Sequence, residues 1–289
     1  MASWHREHLT ETQSALLDAW LPGARLRADL GWDTALTTVL DVSTDTGRFI
    51  VKAGHGDNHH VSREIAAHGT ATRVLADTGH ASRMVHGDNE ANILVATYLP
   101  ERLVHGTSAE ADPDTYRQAG RRLGTFHRQH VRIDDAVEAR ATRKALAWLD
   151  GGHRIDHDTT SLLREMLHTH RPVPVPVVPT HGDWQPRNRL LDAADPNGPG
   201  TVRIIDFGRL EHRPAMSDFC RLSAQQWKDN PELEAAFFEG YGPDPRDREL
   251  WRIFRVREAI GTAAWACKVG DAAFERQGHR MIAAALALP

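Results

Sequence analysis

Two cysteines in 289 residues, Cys220 and Cys267, are too few for a disulfide framework. With no CxxC or Cys/His ligand spacing, the common zinc modules are excluded as well. Long apolar runs are missing: no stretch approaches the roughly 18 residues that cross a bilayer, and MASWHREHLTETQ has no signal-peptide core. The expectation is therefore a cytoplasmic chain with no membrane partner. There is no basic excess either, since 35 Lys and Arg face 39 Asp and Glu for a formal charge of -4, so nucleic acid is a poor candidate partner. Repeats and low-complexity tracts are absent, and so is the GxxxxGK[ST] loop of the P-loop ATPases. What remains is an ordinary globular composition, 40% hydrophobic and 26% charged, long enough for one large domain or two medium ones.

Lysine is scarce: only Lys52, Lys144, Lys228 and Lys268 occur. Each stands out where an arginine would be the default. Lys52 ends the second of two β-rich runs, TALTTVLDVS and GRFIVKA, joined by a Thr44-Asp45-Thr46-Gly47 turn. A helix is expected over VSREIAAHGTATRVLADTG, although Gly69 interrupts its pattern, and a buried strand over ANILVATYL up to Pro100. Beyond Pro100 the pattern turns helical. Asp112-Pro113 reads as an N-cap and first helical residue, followed by Tyr116, Ala119, Leu123 and Phe126 at core spacing. Asn230-Pro231 and Asp244-Pro245 read as further helix starts, the latter running to Gly270. RPVPVPVVPT is too proline-rich for a helix and reads as an extended connector. It leads into HGDWQPRN, followed by two short apolar runs, RLLD and TVRIIDF, that form a small hairpin. Asp183 and Asn188 thus precede one strand and Asp206 follows the next.

Moving a phosphoryl group from a nucleotide to an alcohol asks little covalent chemistry of a protein. A carboxylate must orient the hydroxyl and take its proton, oxygen ligands must hold Mg²⁺, and a cation must grip the other phosphates. Asp183, Asn188, Asp206 and Lys52 have those identities.

HGDWQPRN with IDFG resembles the HGDxxxxN and IDF(G/E) pair of the aminoglycoside phosphotransferase family, relatives of choline kinases and protein kinases. FIVK is similar to that family's strand lysine, ILVATYLP to its interlobe hinge, and AGRRLGTFHRQ to the helix before its catalytic loop. The resemblance implies a bilobal, kinase-like α+β fold: an N-lobe antiparallel sheet with a helix over 1–98, a hinge over 99–103, and a mostly helical C-lobe over 104–289. It implies Asp183 as the catalytic base, Asn188 and Asp206 as Mg²⁺ ligands, and Lys52 on the α- and β-phosphates. Glu64, the only Glu between Lys52 and Glu90, becomes the partner of Lys52. Gly31, Thr34 and backbone amides of LGWDTALTTVL would cover the phosphates, and Thr97 and Leu99 at the hinge would contact the nucleotide. His181 is expected to brace the loop, and Asp218 to hold it from outside the substrate site.

The implied donor is ATP or GTP, and the implied acceptor a hydroxyl on an amino sugar or other small, cationic molecule. Trp184, Glu211, Glu258 and Trp265 are acceptor-site candidates; a helix from 245 to 269 would put Glu258, Thr262 and Trp265 along one side. Two rival readings stay open: a kinase of choline, homoserine or another small alcohol, and a nucleotide-binding module with little catalysis. Protein kinase activity is disfavoured because no APE-like segment follows Asp206. The sequence leaves the oligomeric state open.

Overall fold

The computed structural model describes residues 4–31, 37–56, 58–192 and 200–287. A 3-10 turn (Trp4–Glu7) precedes α1 (Glu11–Trp20), which is started by a capping box in which Thr10 Oγ1 accepts from the Gln13 amide and Gln13 Oε1 accepts from the Thr10 amide. Five strands follow: β1 (Arg25–Asp29), β2 (Thr37–Thr44), β3 (Gly47–Gly54), β4 (Met84–Asp88) and β5 (Ile93–Thr97). They form one antiparallel sheet in the order β1-β2-β3-β5-β4. Between β3 and β4 lie α2 (His60–Thr70) and α3 (Arg73–Ala76), so the single helix expected over 61–79 is two, with the break just after Gly69.

The two-residue period of β3 decides what its side chains meet. Val51 and Ala53 point to the face covered by α1, in a core with Leu17, Leu40, Val42, Ile93 and Val95. Lys52 points to the opposite face, where Leu94 and Ala96 pack against Val61 and Ile65 of α2. A lysine on a buried face needs a carboxylate, and α2 carries one.

After β6 (Arg102–Leu103), α4 (Pro113–His127) begins as expected, with Asp112 capping the Asp114 and Thr115 amides and Pro113 in its first turn. Then come β7 (Arg132–Asp134), α5 (Val137–Asp150), α6 (His157–Thr169) and β8 (Val175–Thr180). The proline-rich stretch is thus extended, and part of it is the middle strand of a three-stranded sheet, between β7 and the strand Glu211–Arg213. The expected hairpin is present as β9 (Arg189–Leu191) and β10 (Val202–Ile204), and β11 spans Glu211–Arg213. Four helices complete the chain: α7 (Cys220–Ala224), α8 (Pro231–Tyr241), α9 (Arg248–Val269) and α10 (Ala272–Leu286). The expectation that α9 opens at Asp244-Pro245 is corrected by three residues. Asp247 is its cap, accepting from the Glu249 and Leu250 amides, while Asp244 is spent on Arg246. Its end at Gly270 is as read, in the left-handed conformation (φ 78°) that glycine adopts without strain.

Contacts divide the chain into two compact units. One comprises Met1–Gln129, His181–Glu211 and Ala235–Gly242; the other comprises His130–Thr180, His212–Glu234 and Pro243–Pro289. The first therefore holds the five-stranded sheet, α4 and the β9–β10 hairpin. The second is mainly helical, with a core of α5, α6, α9 and α10 built on Leu149, Leu163, Val256, Ile260 and Ile282.

Candidate active site

The segment 181–188 is shaped by its own residues. Gly182 has φ 79°, and a Cβ there would stand 2.3 Å from the carbonyl oxygen of Arg209, so only glycine fits. His181 bridges two parts of the site: its Nε2 contacts the Ile205 carbonyl at 3.0 Å and its Nδ1 accepts from the Asp183 amide at 3.3 Å. Pro186 starts a single 3-10 turn through Asn188. That turn brings Asn188 back to Asp183, whose carbonyl accepts from Asn188 Nδ2 at 2.8 Å. The five-residue spacing is what closes this small loop. The Asn188 carbonyl then accepts from the Ile205 amide at 3.1 Å, which sets Asp206 beside the loop. Asp206 has φ 68°, a backbone conformation uncommon outside glycine that costs roughly 1–3 kcal/mol. A residue held that way points its carboxylate by constraint.

Lys52 is the electrostatic centre. Its Nζ donates to both oxygens of Glu64, at 2.8 and 2.9 Å, and lies 3.4 Å from Asp206 Oδ1. Burial alone would lower the Lys52 pKa, but the carboxylates of Glu64 and Asp206 reverse this and raise it, so the ammonium stays charged. Burial likewise draws the Asp206 carboxyl upward, yet Lys52 and His181 outweigh it and leave its pKa below the ordinary value.

Asp183 is buried, and both its carboxylate oxygens are engaged: Oδ1 accepts from Gln185 Nε2, and Oδ2 accepts from Arg187 Nη2 at 2.9 Å. Neither partner was legible as functional, since both occupy variable positions of the motif. Nor was Arg189, fully buried with its guanidinium over the rings of Tyr116 and Trp184, at 5.2 and 5.3 Å. Burial lowers its pKa to about 10.

The structure thus brings together Lys52, Glu64, Asp183, Asn188 and Asp206 within one unit. The other candidates fare differently. Trp184, offered as a wall of the acceptor pocket, is turned inward at 2% exposure against His181 and Arg189, because the loop needs an apolar anchor beneath it. Glu211 sits at the surface, 3.7 Å from Arg63. Glu258 is 3.7 Å from Arg221, and Trp265 is 44% exposed with its ring edge-on to Phe274; an amine-clamping pair of Glu258 and Trp265 is not assembled. Asp218 is buried at the end of the 3-10 helix Ala215–Phe219. Gly31 is exposed and its amide is bonded to Asp29 Oδ1 at 2.8 Å, while Thr34 lies outside the described residues. Thr97 closes β5, with its Oγ1 accepting from the Arg83 amide, and Leu99 is half-buried just beyond. Between them Tyr98 carries the Arg48 guanidinium on its ring at 3.6 Å, a contact between β3 and the residue just past β5 that no local pattern signals.

The donor set fits Mg²⁺. Among the described residues no group of three or more His, Cys, Asp or Glu could hold a metal by itself. One carboxylate and one amide, Asp206 and Asn188, instead suit a hard ion that takes its other ligands from water and phosphate oxygens.

No curated protein sequence matches this chain. Solved structures do. A spectinomycin phosphotransferase in complex with ADP and spectinomycin aligns over 94% of this chain and 96% of its own, at 14% identity and a TM-score of 0.62. Choline kinase from Streptococcus pneumoniae aligns over 96% and 99%, at 16% identity and a TM-score of 0.67. A macrolide 2'-phosphotransferase from Brachybacterium faecium aligns over 97% and 99%, at 17% identity and a TM-score of 0.59. At these identities the likeness establishes the fold, kinase-like with an antiparallel sheet and a helical part. The family model of the phosphotransferase enzymes matches residues 30–252, a span that takes in Lys52, the 181–188 loop and Asp206; this chain belongs to the phosphotransferase enzyme family.

Proposed function

We propose that this chain transfers the terminal phosphoryl group of ATP to a hydroxyl of a small molecule. The observation that carries the reading is the convergence of Lys52, Glu64 and Asp206 with the Asp183–Asn188 loop in one compact unit. Asp183 orients the acceptor hydroxyl and receives its proton; the freed oxygen forms a bond to the terminal phosphorus as the bond to the bridging oxygen breaks, and ADP leaves. Lys52, held by Glu64, grips the phosphates that stay behind. Asn188 and Asp206 are the residues that would hold Mg²⁺, whose charge offsets that of the phosphates. ATP is preferred over GTP because similar folds were crystallised with ADP or AMP.

An amino sugar is the acceptor class that the family resemblance implies. A small amino alcohol is the second, supported by the likeness to choline and ethanolamine kinases. Drug resistance and metabolism are separated by the same assay: release of ADP with spectinomycin, other amino sugars, choline and ethanolamine as acceptors. Asp183→Asn should cut turnover by about 10²–10⁴-fold, with ATP affinity within a few-fold of the parent. Turnover that survives the substitution would remove Asp183 from the mechanism.

A further inference from the structure

The helical unit contains a cavity of about 440 Å³, within the roughly 300–1,000 Å³ of small-molecule sites. Its walls come from α7 and the turn after it, from α9, and from α10. Five charged residues line it: Lys228, Arg255 and Arg280 against Asp229 and Glu258.

How these charges are paired matters more than their number. Glu258 is already opposed by Arg221, at 3.7 Å, outside the lining. None of the three cations has a carboxylate within ion-pairing distance among the described residues. Arg280 donates instead to the neutral amide of Gln277, at 2.6 Å, which steadies it without cancelling its charge. Arg255 is half-buried, and its guanidinium pKa is lowered by burial, with Arg246 adding to the effect and only the Cys220 thiol opposing it. That thiol is itself pushed well up by burial, so it stays protonated and supplies no counter-charge. Arg246 is committed elsewhere, to Glu234 and Asp244.

Burying a guanidinium without a counter-ion is costly, and folded proteins ordinarily avoid it. Half-buried Arg255 and the exposed Arg280 and Lys228, none of them ion-paired among the described residues, outnumber Asp229 and Glu258 and make the cavity a receptor for negative charge. Ser223 and Gln225, also in the lining, can bond hydroxyl groups. We propose that this cavity binds a small hydroxylated organic anion, its carboxylate or phosphate held by Arg255 with Arg280 and Lys228. The inference goes beyond the phosphotransfer reading and does not rest on it, because the site is confined to the second unit and shares no residue with the Lys52 cluster.

The rival occupant is an amine drawn by Asp229 and Glu258. Isothermal titration of the full chain, without nucleotide, decides between them using glycerol 3-phosphate, glycerate, inorganic phosphate, choline and glucosamine as probes. The organic anions should bind and the amines should not. Glycerate and glycerol 3-phosphate distinguish a carboxylate from a phosphate preference, and inorganic phosphate tests whether the carbon skeleton contributes. Arg255→Met should weaken the preferred anion at least about tenfold. Arg280→Gln, an exposed change that leaves the core intact, should weaken it by several-fold. Binding of the amines alone, or anion affinity unchanged in both variants, would overturn the proposal. Because no nucleotide is present, a failure of phosphotransfer would leave this result standing.

Discussion

At the scale of single residues, the informative contact is the one on Asp183. With both oxygens already accepting, the proposed base offers an acceptor hydroxyl only its remaining lone pairs, and loss of one partner would open it further. Gln185 is buried, whereas the Arg187 side chain is 41% exposed, so Arg187 is the partner free to move. On the proposed mechanism, a guanidinium that leaves the carboxylate would stand near the phosphoryl group in transfer, where a cation stabilises developing charge. Arg187→Ala should therefore lower kcat by about tenfold, and Arg187→Lys by less. The melting temperature should fall modestly, by the equivalent of about 1–3 kcal/mol, since the buried Asp183 carboxylate loses one of its hydrogen bonds. A rise in kcat on alanine substitution would mean that Arg187 only obstructs the base. The motif made Asp183, Asn188 and Asp206 legible, because their chemistry constrains residue type and spacing together. Trp184, Gln185, Arg187 and Arg189 were not, because what each does depends on which way the loop turns it. No local pattern encodes that.

At the scale of elements, glycine positions separate what the sequence could and could not tell. In α4 a Cβ on Gly120 would lie 2.1 Å from the Phe237 carbonyl oxygen, and in α8 a Cβ on Gly240 would lie 1.9 Å from the Arg117 carbonyl oxygen. The two helices touch backbone to backbone. Gly120→Ala should destabilise the chain by about 1–3 kcal/mol through overpacking, seen as a lower denaturant midpoint. Gly69 in α2 has nothing within 4 Å of its would-be Cβ and a helical backbone. Gly69→Ala should therefore stabilise by up to about 1 kcal/mol. Equal effects at the two sites would refute the close approach. From sequence both are simply helix glycines; only the partner distinguishes them. β2, β3, β5 and the β9–β10 pair were legible for the opposite reason, while β1, β4, β6, β7 and β11 were not. The alternation of β3 is local and sets Lys52 on the face opposite Val51 and Ala53, although that α2 meets that face follows only from the fold. α1 has only a weak local signal, a capping box of Thr10 with Gln13 and a short apolar stripe. Gln13 then ties α1 to the sheet through the Gly54 and Ala91 carbonyls, at 3.1 and 2.8 Å.

For the molecule as a whole, the fold class was legible through the resemblance carried by HGDWQPRN, IDFG and FIVK, and the succession of strands and then helices agrees with it. The compact units were less legible, because chain order and contact order differ: residues 181–211 and 235–242 belong with the N-terminal sheet. One consequence is that the stability of the first unit is tied to the site's electrostatics. His68 on α2 is 8% exposed, edge-on to Phe207, with its Nδ1 3.2 Å from Thr72 Oγ1. Burial, and then the Lys52 cation, lower its pKa from 6.5 to about 4. The folded state therefore favours the neutral ring, and the unfolded state binds the extra proton between these two values. The contribution is complete above pH 6.5 and is lost as pH falls toward 4, a difference of at most about 3 kcal/mol. His68→Gln keeps a hydrogen-bonding side chain and removes the titration. Denaturant midpoints followed by tryptophan fluorescence should fall from pH 7.5 to pH 4.5 in the parent, and less steeply in His68→Gln. Parallel pH profiles for the two proteins would show that the acid sensitivity lies elsewhere, and that burial beside Lys52 does not control protonation of this ring.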